Sequence, residues 1–381
     1  MEDKKYQICT SCVMDITDPE IIFDEKGVCN HCHRFHGVTF KHWFPNDEGK
    51  KKLDTFFSKI KQNGKGKDYD CIIGLSGGLD SSYLALMLKD YGLRPLVVHV
   101  DAGWNSELAA YNIEQIVKHC GYDLHTHVME WQEIKDLQLA YFKSGVANQD
   151  TVQDHAFFAS LYHFAVQHNI KYVISGGNIS TESVFPKAWH HAAMDAMNLK
   201  SIHRLYGKKK LSQYKTINFF EYFFYYPFIK GMEVVRPLNF MPYNKGEALK
   251  FLKEKINYKE YGRKHGESRF TKFFQNYYLP KKFNIDKRRP HLSSLILSKS
   301  LTRDEALREL QKPLYDEIEL TQDKSYIAKK LEISVDELDR FTYEKGTHYS
   351  EYANWDTRYK LMTKVKKLVQ KVIGRNVKTY S

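Results

Sequence analysis

The stretch Ser76-Gly77-Gly78-Leu79-Asp80-Ser81-Ser82 decides the fold, because the residues before and after it have opposite structural preferences. Residues 70–75, DCIIGL, form a short apolar run that is typical of a buried strand. Residues 83–89, YLALMLK, are rich in good helix formers. A strand, a glycine-rich turn and a helix start together predict a phosphate site, since the free amides of the turn and the helix dipole both favour negative charge. We expect Ser81 and Ser82 to add hydroxyl donors and Asp80 to hold Mg²⁺.

Two common phosphate loops do not fit this stretch. No Gly-Lys-Ser/Thr closes the loop, which excludes a Walker A motif, and no G-x-G-x-x-G is present for a dinucleotide fingerprint. The residues instead resemble the PP-loop of ATP pyrophosphatases, S-G-G-x-D-S after an apolar strand. That resemblance implies ATP as cofactor, cleavage between its α and β phosphates, adenylation of a carbonyl oxygen, and displacement of AMP by nitrogen or sulfur.

Four of the six cysteines form a C-x₂-C…C-x₂-C pattern at Cys9, Cys12, Cys29 and Cys32. Two such pairs can supply four thiolates in a tetrahedron, which predicts a structural Zn²⁺ in a small ribbon over residues 1–45, with a hairpin turn at residues 24–27. An iron–sulfur cluster is the competing interpretation, because four thiolates also serve it. The two remaining cysteines, Cys71 and Cys120, are typical of packing positions.

The rest of the chain alternates strand and helix patterns over residues 46–240. Strands are predicted at residues 95–101, 124–129 and 171–178, and a last edge strand at 233–238. Helices are predicted at residues 106–120, 131–144 and 151–168, and Ser106 can cap the first of them. This order predicts an α/β fold with a doubly wound, mostly parallel sheet, followed by a helical, basic region over residues 241–381. Because ligands bind at the carboxyl ends of parallel strands, the loop, Asp101, Gly176, Gly177 and Asn178 are candidate ATP-site residues.

Charge and composition limit the classes of molecule that this chain is expected to bind. The 381 residues carry a net charge of +12, which suits nucleotides, nucleotide-sugars, nucleic acid or an anionic membrane surface. No apolar run reaches the length of a membrane span and the first 30 residues lack a signal-peptide core, so we expect a cytoplasmic protein. The aromatic run at residues 219–226 predicts a buried helix, and residues 360–373 a basic amphipathic helix ending at Gly374. Both leave peripheral membrane contact open.

Amidation is favoured over sulfur chemistry. Neither Cys71 nor Cys120 lies where a sulfur nucleophile is needed, at the carboxyl end of a strand. No Cys/His/Glu glutaminase constellation is visible either, so ammonia would have to come from a separate subunit.

A closer resemblance covers about residues 6–345. It rests on residues 8–15 and 27–32 around the cysteines, on the loop, and on residues 175–182, 265–271 and 286–294. In these segments the chain is similar to the N-acetyl sugar amidotransferases of bacterial surface-polysaccharide and O-antigen (lipopolysaccharide) biosynthesis. The resemblance implies that an acetamido group on a nucleotide-activated sugar becomes an acetamidino group, with ammonia from partners resembling the glutaminase and cyclase halves of imidazole glycerol phosphate synthase. Nucleic acid is then not an expected partner, although a tRNA-modifying PP-loop enzyme is the alternative.

Candidate roles follow from this chemistry. Positive charge should stabilise the leaving pyrophosphate, with a solvated basic turn as the rival interpretation of the candidates. Asp101 is a candidate for orienting the nucleotide or the amide, and His291 for general acid or base catalysis; helix capping and core packing are their alternatives. The candidate cations are Lys287, Arg288 and Arg289, the candidate acceptor-pocket residues are Asn178 and Glu182, and His265, Glu267 and Arg269 form a polar cluster without an assigned role.

Overall fold

A five-stranded parallel sheet forms the centre of the fold in the computed structural model, which describes residues 6–261 and 268–373. Its strand order is β3-β2-β1-β4-β5, and every neighbouring pair is parallel. The chain runs outward from β1 on one side and then on the other, which confirms the predicted doubly wound α/β fold. The strands are β1 (Cys71–Gly74), β2 (Pro95–Asp101), β3 (Leu124–Val128), β4 (Tyr172–Ile174) and β5 (Glu233–Val235).

Helices cover both faces of the sheet up to β5 and dominate the chain after it. Those of the first part are α1 (Asn30–Gly37), α2 (Asp47–Gly64), α3 (Leu79–Asp90), α4 (Glu107–Cys120), α5 (Trp131–Ser144), α6 (Thr151–Gln167), α7 (Ile179–Glu182) and α8 (Ala196–Tyr206). Those of the second part are α9 (Lys245–Ile256), α10 (Arg269–Phe273), α11 (Leu279–Phe283), α12 (Arg288–Leu297), α13 (Arg303–Gln311), α14 (Glu317–Leu331), α15 (Val335–Tyr343) and α16 (Asp356–Ile373). The mostly helical C-terminal region is thus confirmed, and α16 begins four residues before the predicted helix.

Two separate cores support the sheet. One face packs α2, α3, α4 and α9 against β1, with Leu53, Ile73 and Leu84 among its buried residues. The opposite face packs α6 against the same strands through residues such as Ile72 and Ala159. Because β1 is buried on both faces, its apolar run shows no alternation, as expected for a central parallel strand.

Carboxylate and hydroxyl oxygens near the starts of α4 and α5 accept backbone amides, in α4 from the helix itself and in α5 from a distant segment. The Ser106 hydroxyl accepts the Ala109 amide at 3.2 Å and so caps α4, as its position predicted. In α5 the buried Glu133 carboxylate accepts the amides of residues 212–214 at 2.8–3.1 Å and the Ser212 hydroxyl at 2.6 Å. Burial raises the pKa of Glu133, but these hydrogen bonds to the charged form outweigh burial and leave the pKa below its usual value.

The aromatic run differs from its prediction as a buried helix. Residues Glu221–Ile229 form a π-helix in which Tyr226 is buried, while Phe220 and Phe228 remain 57% and 60% exposed. These two phenylalanines and Phe224 are spaced by four residues, so they fall on one outward face. None of the helices within residues 6–261 and 268–373 is long and apolar enough to cross a membrane. Gly374 lies outside the described residues.

Candidate active site

The glycine-rich loop joins β1 to α3 at the carboxyl edge of the sheet. Its own hydroxyls hold its shape: Ser76 Oγ accepts the Gly78 amide at 3.2 Å, and the Ser81 and Ser82 hydroxyls donate to the Gly78 carbonyl at 3.1 and 2.7 Å. No side chain caps the start of α3, where Gly78 is the N-cap residue. The first-turn amides of α3 are therefore available to an anion, as in other phosphate loops.

Gly77 must be glycine for two reasons. Its φ of +80° lies in the left-handed region, and a Cβ there would lie 2.8 Å from the carbonyl oxygen of Ala109 in α4. The Gly77 carbonyl also accepts the hydroxyls of Tyr258 and Tyr261, both at 3.0 Å. The loop is thus held between α4 and the segment that follows α9.

Asp80 lies in the first turn of α3, and its carboxylate accepts a hydrogen bond from the Tyr243 hydroxyl. Burial and the nearby charge of Asp80 raise the pKa of Tyr243 well above its usual value, so the phenol remains a donor. A carboxylate beside a phosphate loop is a suitable ligand type for Mg²⁺. That role of Asp80 stays a prediction.

A main cavity of about 1140 Å³ opens at this edge of the sheet. Ser76 and Ser81 line it from the loop, and Ser175 and Gly176 line it from the end of β4. The structure thus brings the two predicted glycine turns together: a Cβ on Gly176 would lie 3.4 Å from the Ser81 amide nitrogen. The remaining loop residues do not line the cavity: Gly77, Gly78, Leu79, Asp80 and Ser82.

Asn178 does not line the cavity, contrary to its prediction as a pocket residue. It is buried as the N-cap of α7, where its side-chain oxygen accepts the Thr181 amide at 3.0 Å and the Ser180 hydroxyl at 2.7 Å. The amide of Gly177 bonds to Ser175 Oγ at 3.3 Å. These two residues shape the β4–α7 turn, and neither lines the main cavity.

Asp101 shapes the loop after β2. Its Oδ1 atom accepts the Gly103 amide at 2.8 Å and the Asn105 side-chain amide at 3.1 Å. Asn105 in turn lies 3.0 Å from Nε2 of His99, and both of these residues line the cavity. Asp101 therefore positions two cavity residues, whereas a direct contact with nucleotide or amide stays a prediction.

Arg288 and Arg289, which were predicted to stabilise the leaving pyrophosphate, do not line the main cavity. Arg288 pairs with Asp286 at 2.8 Å and donates to carbonyls in and just after α13, while Arg289 pairs with Asp15 at 3.0 Å and donates to Val13. Both guanidiniums are thus engaged in tertiary contacts, so the geometry corrects their assignment to the leaving pyrophosphate. The basic run at residues 287–289 does not show by itself which carboxylates and carbonyls the fold places beside it.

Arg236 is the cation that sequence reasoning missed. It follows β5 directly and lines the main cavity, and its guanidinium makes no hydrogen bond or ion pair with any described residue. The sequence prediction placed Arg236 inside a strand at residues 233–238. The observed strand ends at Val235, which brings Arg236 to the ligand-binding edge of the sheet.

Two further predicted residues, His291 and Glu182, lie in or against α7 and do not line the cavity. His291 Nδ1 is 3.0 Å from the Thr181 carbonyl oxygen, its Nε2 is 3.2 Å from Lys245 Nζ, and it does not line the cavity. Glu182 ends α7 and is exposed. Arg269 pairs with the buried Asp323 at 2.8 Å, which is a structural role, and His265 and Glu267 lie outside the described residues.

A buried carboxylate, Asp150, also lines the main cavity. As the N-cap residue of α6 it does not cap its own helix; instead its Oδ1 accepts the Thr271 hydroxyl at 3.1 Å and the Gln153 amide at 3.0 Å. Burial, and then the charge of Asp154, raise the pKa of Asp150 well above its usual value, although Lys287 and the Thr271 bond act in the opposite direction. Nothing in the sequence distinguished this aspartate from an ordinary helix cap.

The four N-terminal cysteines form a buried cluster. Their sulfur atoms all lie within 4.8 Å of one another, as four ligands around one metal ion require. The Cys9 sulfur also accepts the amides of Ser11, Cys12 and Cys29 at 3.3–3.4 Å, which favours thiolate. The donor set fits Zn²⁺.

Arg303 of α13 donates to the carbonyls of Cys9 and Cys12 at 2.8 and 3.1 Å. The Val13 amide donates to the Ser293 hydroxyl of α12 at 3.2 Å. The cysteine module is therefore fixed against the C-terminal helices.

Two curated proteins share short stretches with this chain. The tRNA(Ile)-lysidine synthase of Chlamydia pneumoniae is 37% identical over 92 residues, and that of Chlamydia felis 43% identical over 54 residues. These matches cover 23% and 14% of this chain, and the chain spans only 27% and 16% of the two relatives.

The similar solved structures have lower sequence identity to this chain than the two curated proteins do. The NH3-dependent NAD synthetase from Campylobacter jejuni is 16% identical over 41% of this chain and 72% of its own, with a TM-score of 0.30. NMN synthetase from Francisella tularensis is 18% identical over 55% of this chain and 92% of its own, also at 0.30. Such values are too low for any activity to be transferred.

A family match falls in the C-terminal region, where the motifs of residues 265–271 and 286–294 lie. Residues 267–366 match the C-terminal domain of WbpG-like LPS biosynthesis proteins, which confirms the resemblance to surface-polysaccharide biosynthesis proteins in this part of the chain.

Proposed function

We propose that the chain is an ATP-dependent amidotransferase that activates an acetamido oxygen of a nucleotide-activated sugar and replaces it with nitrogen. One observation carries the proposal: the main cavity is lined by the loop serines, by the buried Asp150 carboxylate, and by Arg236, whose guanidinium has no ion-pair partner within the described part of the chain. The match to an LPS biosynthesis domain supports the substrate class.

In this proposal the loop holds the leaving pyrophosphate. The first-turn amides of α3 and the hydroxyls of Ser76 and Ser81 face the anion, and Arg236 stabilises the charge that develops on it. Asp80 would hold Mg²⁺, which neutralises phosphate charge when bound.

The bonds change in two steps. First, the amide oxygen bonds to the α-phosphorus of ATP, and the bond to pyrophosphate breaks. Ammonia then bonds to the adenylated carbon, the carbon–oxygen bond breaks, and its electron pair leaves with AMP. The nitrogen gives up one proton in this step, and we propose the Asp150 carboxylate as its acceptor, because Asp150 is a buried carboxylate that lines the main cavity. We propose that ammonia comes from separate subunits of the glutaminase and cyclase types named above.

The test incubates the protein with ATP, Mg²⁺, ammonium chloride and a UDP-diacetamido sugar. We expect AMP and pyrophosphate in equal amounts, and a sugar in which mass spectrometry finds one oxygen replaced by NH. Arg236→Gln should lose most of this turnover, whereas Arg308→Gln, at an exposed arginine of α13, should keep it. Absence of a sugar product in which NH replaces oxygen would reject the proposal for the wild type.

Modification of tRNA is the second candidate, favoured by the lysidine synthase matches and the net charge of +12. The same assay with tRNA and lysine in place of the sugar and ammonium distinguishes the two, since AMP should then depend on tRNA. Binding must be compared at a stated salt concentration.

A further inference from the structure

Three phenylalanines form an exposed row in the π-helix and directly before it: Phe220, Phe224 and Phe228. Neighbouring rings in this phenylalanine row lie close together, with centroids 5.7 Å apart between Phe220 and Phe224 and 6.5 Å apart between Phe224 and Phe228. Ile229, beside the last of them, is 63% exposed. Single exposed apolar side chains are common, whereas a contiguous group of them marks an interaction surface.

The start of α16 is fixed beside the phenylalanine row. The Trp355 ring, one residue before α16, has its centroid 5.7 Å from that of Phe219 and 5.2 Å from that of Phe223. Tyr359, in the first turn of α16, continues this contact, with its centroid 5.6 Å from that of Phe223. The Trp355 amide also donates to the buried Asp195 carboxylate at 2.8 Å. The π-helix and α16 therefore belong to one surface.

The exposed part of α16 is amphipathic. Leu361 and Val365 are both exposed and lie four residues apart, so they form an apolar stripe along the helix. Lys360 and Lys364, also exposed and also four residues apart, lie beside this stripe. Over its length α16 contains six lysines and arginines and a single acidic residue, Asp356. An apolar stripe with lysines beside it is typical of helices that lie on membrane surfaces.

The acidic groups of this surface are engaged by the protein itself. Glu221 Oε2 accepts the Asn218 amide at 2.8 Å, and Asp356 Oδ2 accepts the Tyr349 hydroxyl at 2.9 Å. Lys230, exposed directly after the π-helix, adds a further cation. The surface thus combines apolar side chains with an excess of positive charge, which is complementary to anionic lipid headgroups.

We propose that the phenylalanine row and α16 form a docking surface for a membrane that contains anionic lipid. The phenylalanines enter the headgroup region, and the lysines of α16 contact the lipid phosphates. The inference goes beyond the proposed reaction and does not depend on it. Pro227 and Phe228 also line the main cavity, so docking holds that cavity beside the lipid surface.

The test measures sedimentation of the full chain with vesicles of equal parts phosphatidylethanolamine and phosphatidylglycerol at low salt. Phe220→Ser combined with Phe224→Ser should weaken binding at least about tenfold, because burial of each ring stabilises the docked state. The control Ile318→Ser removes an exposed apolar side chain of α14 and should bind like the wild type.

The contribution of charge is tested separately. Lys360→Gln should weaken vesicle binding about fivefold, whereas Lys50→Gln, at an exposed lysine of α2, should leave it unchanged. High salt should also weaken the binding of the wild type, because ions screen exposed charges. Equal affinity for phosphatidylcholine vesicles would overturn the role of anionic lipid.

Activity and folding controls keep the result interpretable. Phe220 and Phe224 are exposed and do not line the main cavity, so the double variant should keep the wild-type unfolding temperature and the wild-type rate of AMP formation. A wild type that binds vesicles but forms no AMP would reject the proposed reaction and leave the docking surface supported.

Two results would overturn the docking surface. One is a wild type that stays unbound by the anionic vesicles at low salt, or a double variant that binds them as well as Ile318→Ser does. The other is self-association of the wild type that the double variant abolishes while vesicles remain unbound, which would assign the phenylalanine row to a second copy of the chain.

Discussion

Gly77→Ala tests the loop geometry, because the chain contains a matched control. Gly66 has a φ of +79°, almost the same as the +80° of Gly77, yet a Cβ on Gly66 meets no atom within 4 Å. Alanine costs about 1–2 kcal/mol in the left-handed region, so both variants lose about that much stability. With about 2.1 cal/mol/K of unfolding entropy per residue over 381 residues, both should melt about 1–3 °C earlier.

The two variants should differ in activity. A Cβ on Gly77 would lie 2.8 Å from the Ala109 oxygen, whereas ordinary contact begins at 3.4 Å, so the loop or α4 has to move by about 0.6 Å. Since a 1 Å misplacement can cost about a hundredfold in rate, we expect Gly77→Ala to release pyrophosphate roughly ten- to a hundredfold more slowly. Gly66→Ala should keep the wild-type rate.

The assay measures pyrophosphate release from ATP at saturating substrates, alongside thermal unfolding of the three proteins. Equal release rates in the two variants would refute the claim that the close packing of Gly77 sets the position of the loop. A Gly77→Ala protein that melts far below Gly66→Ala would show instead that the contact supports the fold as a whole.

Three further predictions concern stability. Cys29→Ser should lower the zinc content and the unfolding temperature together. The control Cys120→Ser should change neither the zinc content nor the effect of a chelator on unfolding. Zinc retained in Cys29→Ser would contradict a metal site at the four cysteines. Arg303→Ala should lower the free energy of unfolding, measured with denaturant, by about 1.5–3 kcal/mol, because it removes charged hydrogen bonds to the cysteine module. An effect no larger than that of Arg308→Ala contradicts this. Glu133→Gln should destabilise at neutral pH. Because the folded pKa of Glu133 is lowered, its contribution is complete above the usual pKa of about 4.3 and disappears as the pH falls through the folded value. A wild-type–variant difference that persists at low pH contradicts this.

The local elements could be predicted because their signals are local. All five strands, the cap at Ser106 and the spacing of the four cysteines depend on neighbours in the chain, and the structure confirms them. The phosphate loop could also be predicted, because a strand pattern, two glycines and the start of a helix are adjacent in the sequence. A parallel sheet then brings its carboxyl ends to one edge, which explains why Gly176 was correctly placed near Ser81.

The roles that could not be predicted from the sequence belong to residues whose partners are distant in the chain. Arg289 looked like a phosphate ligand, but Asp15, far away in the sequence, neutralises it. Asp150 was not singled out by the sequence, because the Thr271 hydroxyl that donates to its carboxylate is 121 residues away. The outward face at Phe220 and Phe228 was also missed, because hydrophobicity alone does not say which side of a helix finds a neighbour.

The bonds from Arg303 to the cysteine module carry a consequence for synthesis on the ribosome. The Cys9 carbonyl and its donor are 294 residues apart, so at about 5–20 residues per second the module waits roughly 15–60 s for α13 to emerge. The thiols can take up their metal during that interval, but the surface that docks on α12 and α13 stays uncovered. Completion of the native fold is therefore delayed until the last quarter of the chain is being made, and a nascent chain stalled before residue 303 would carry an undocked module.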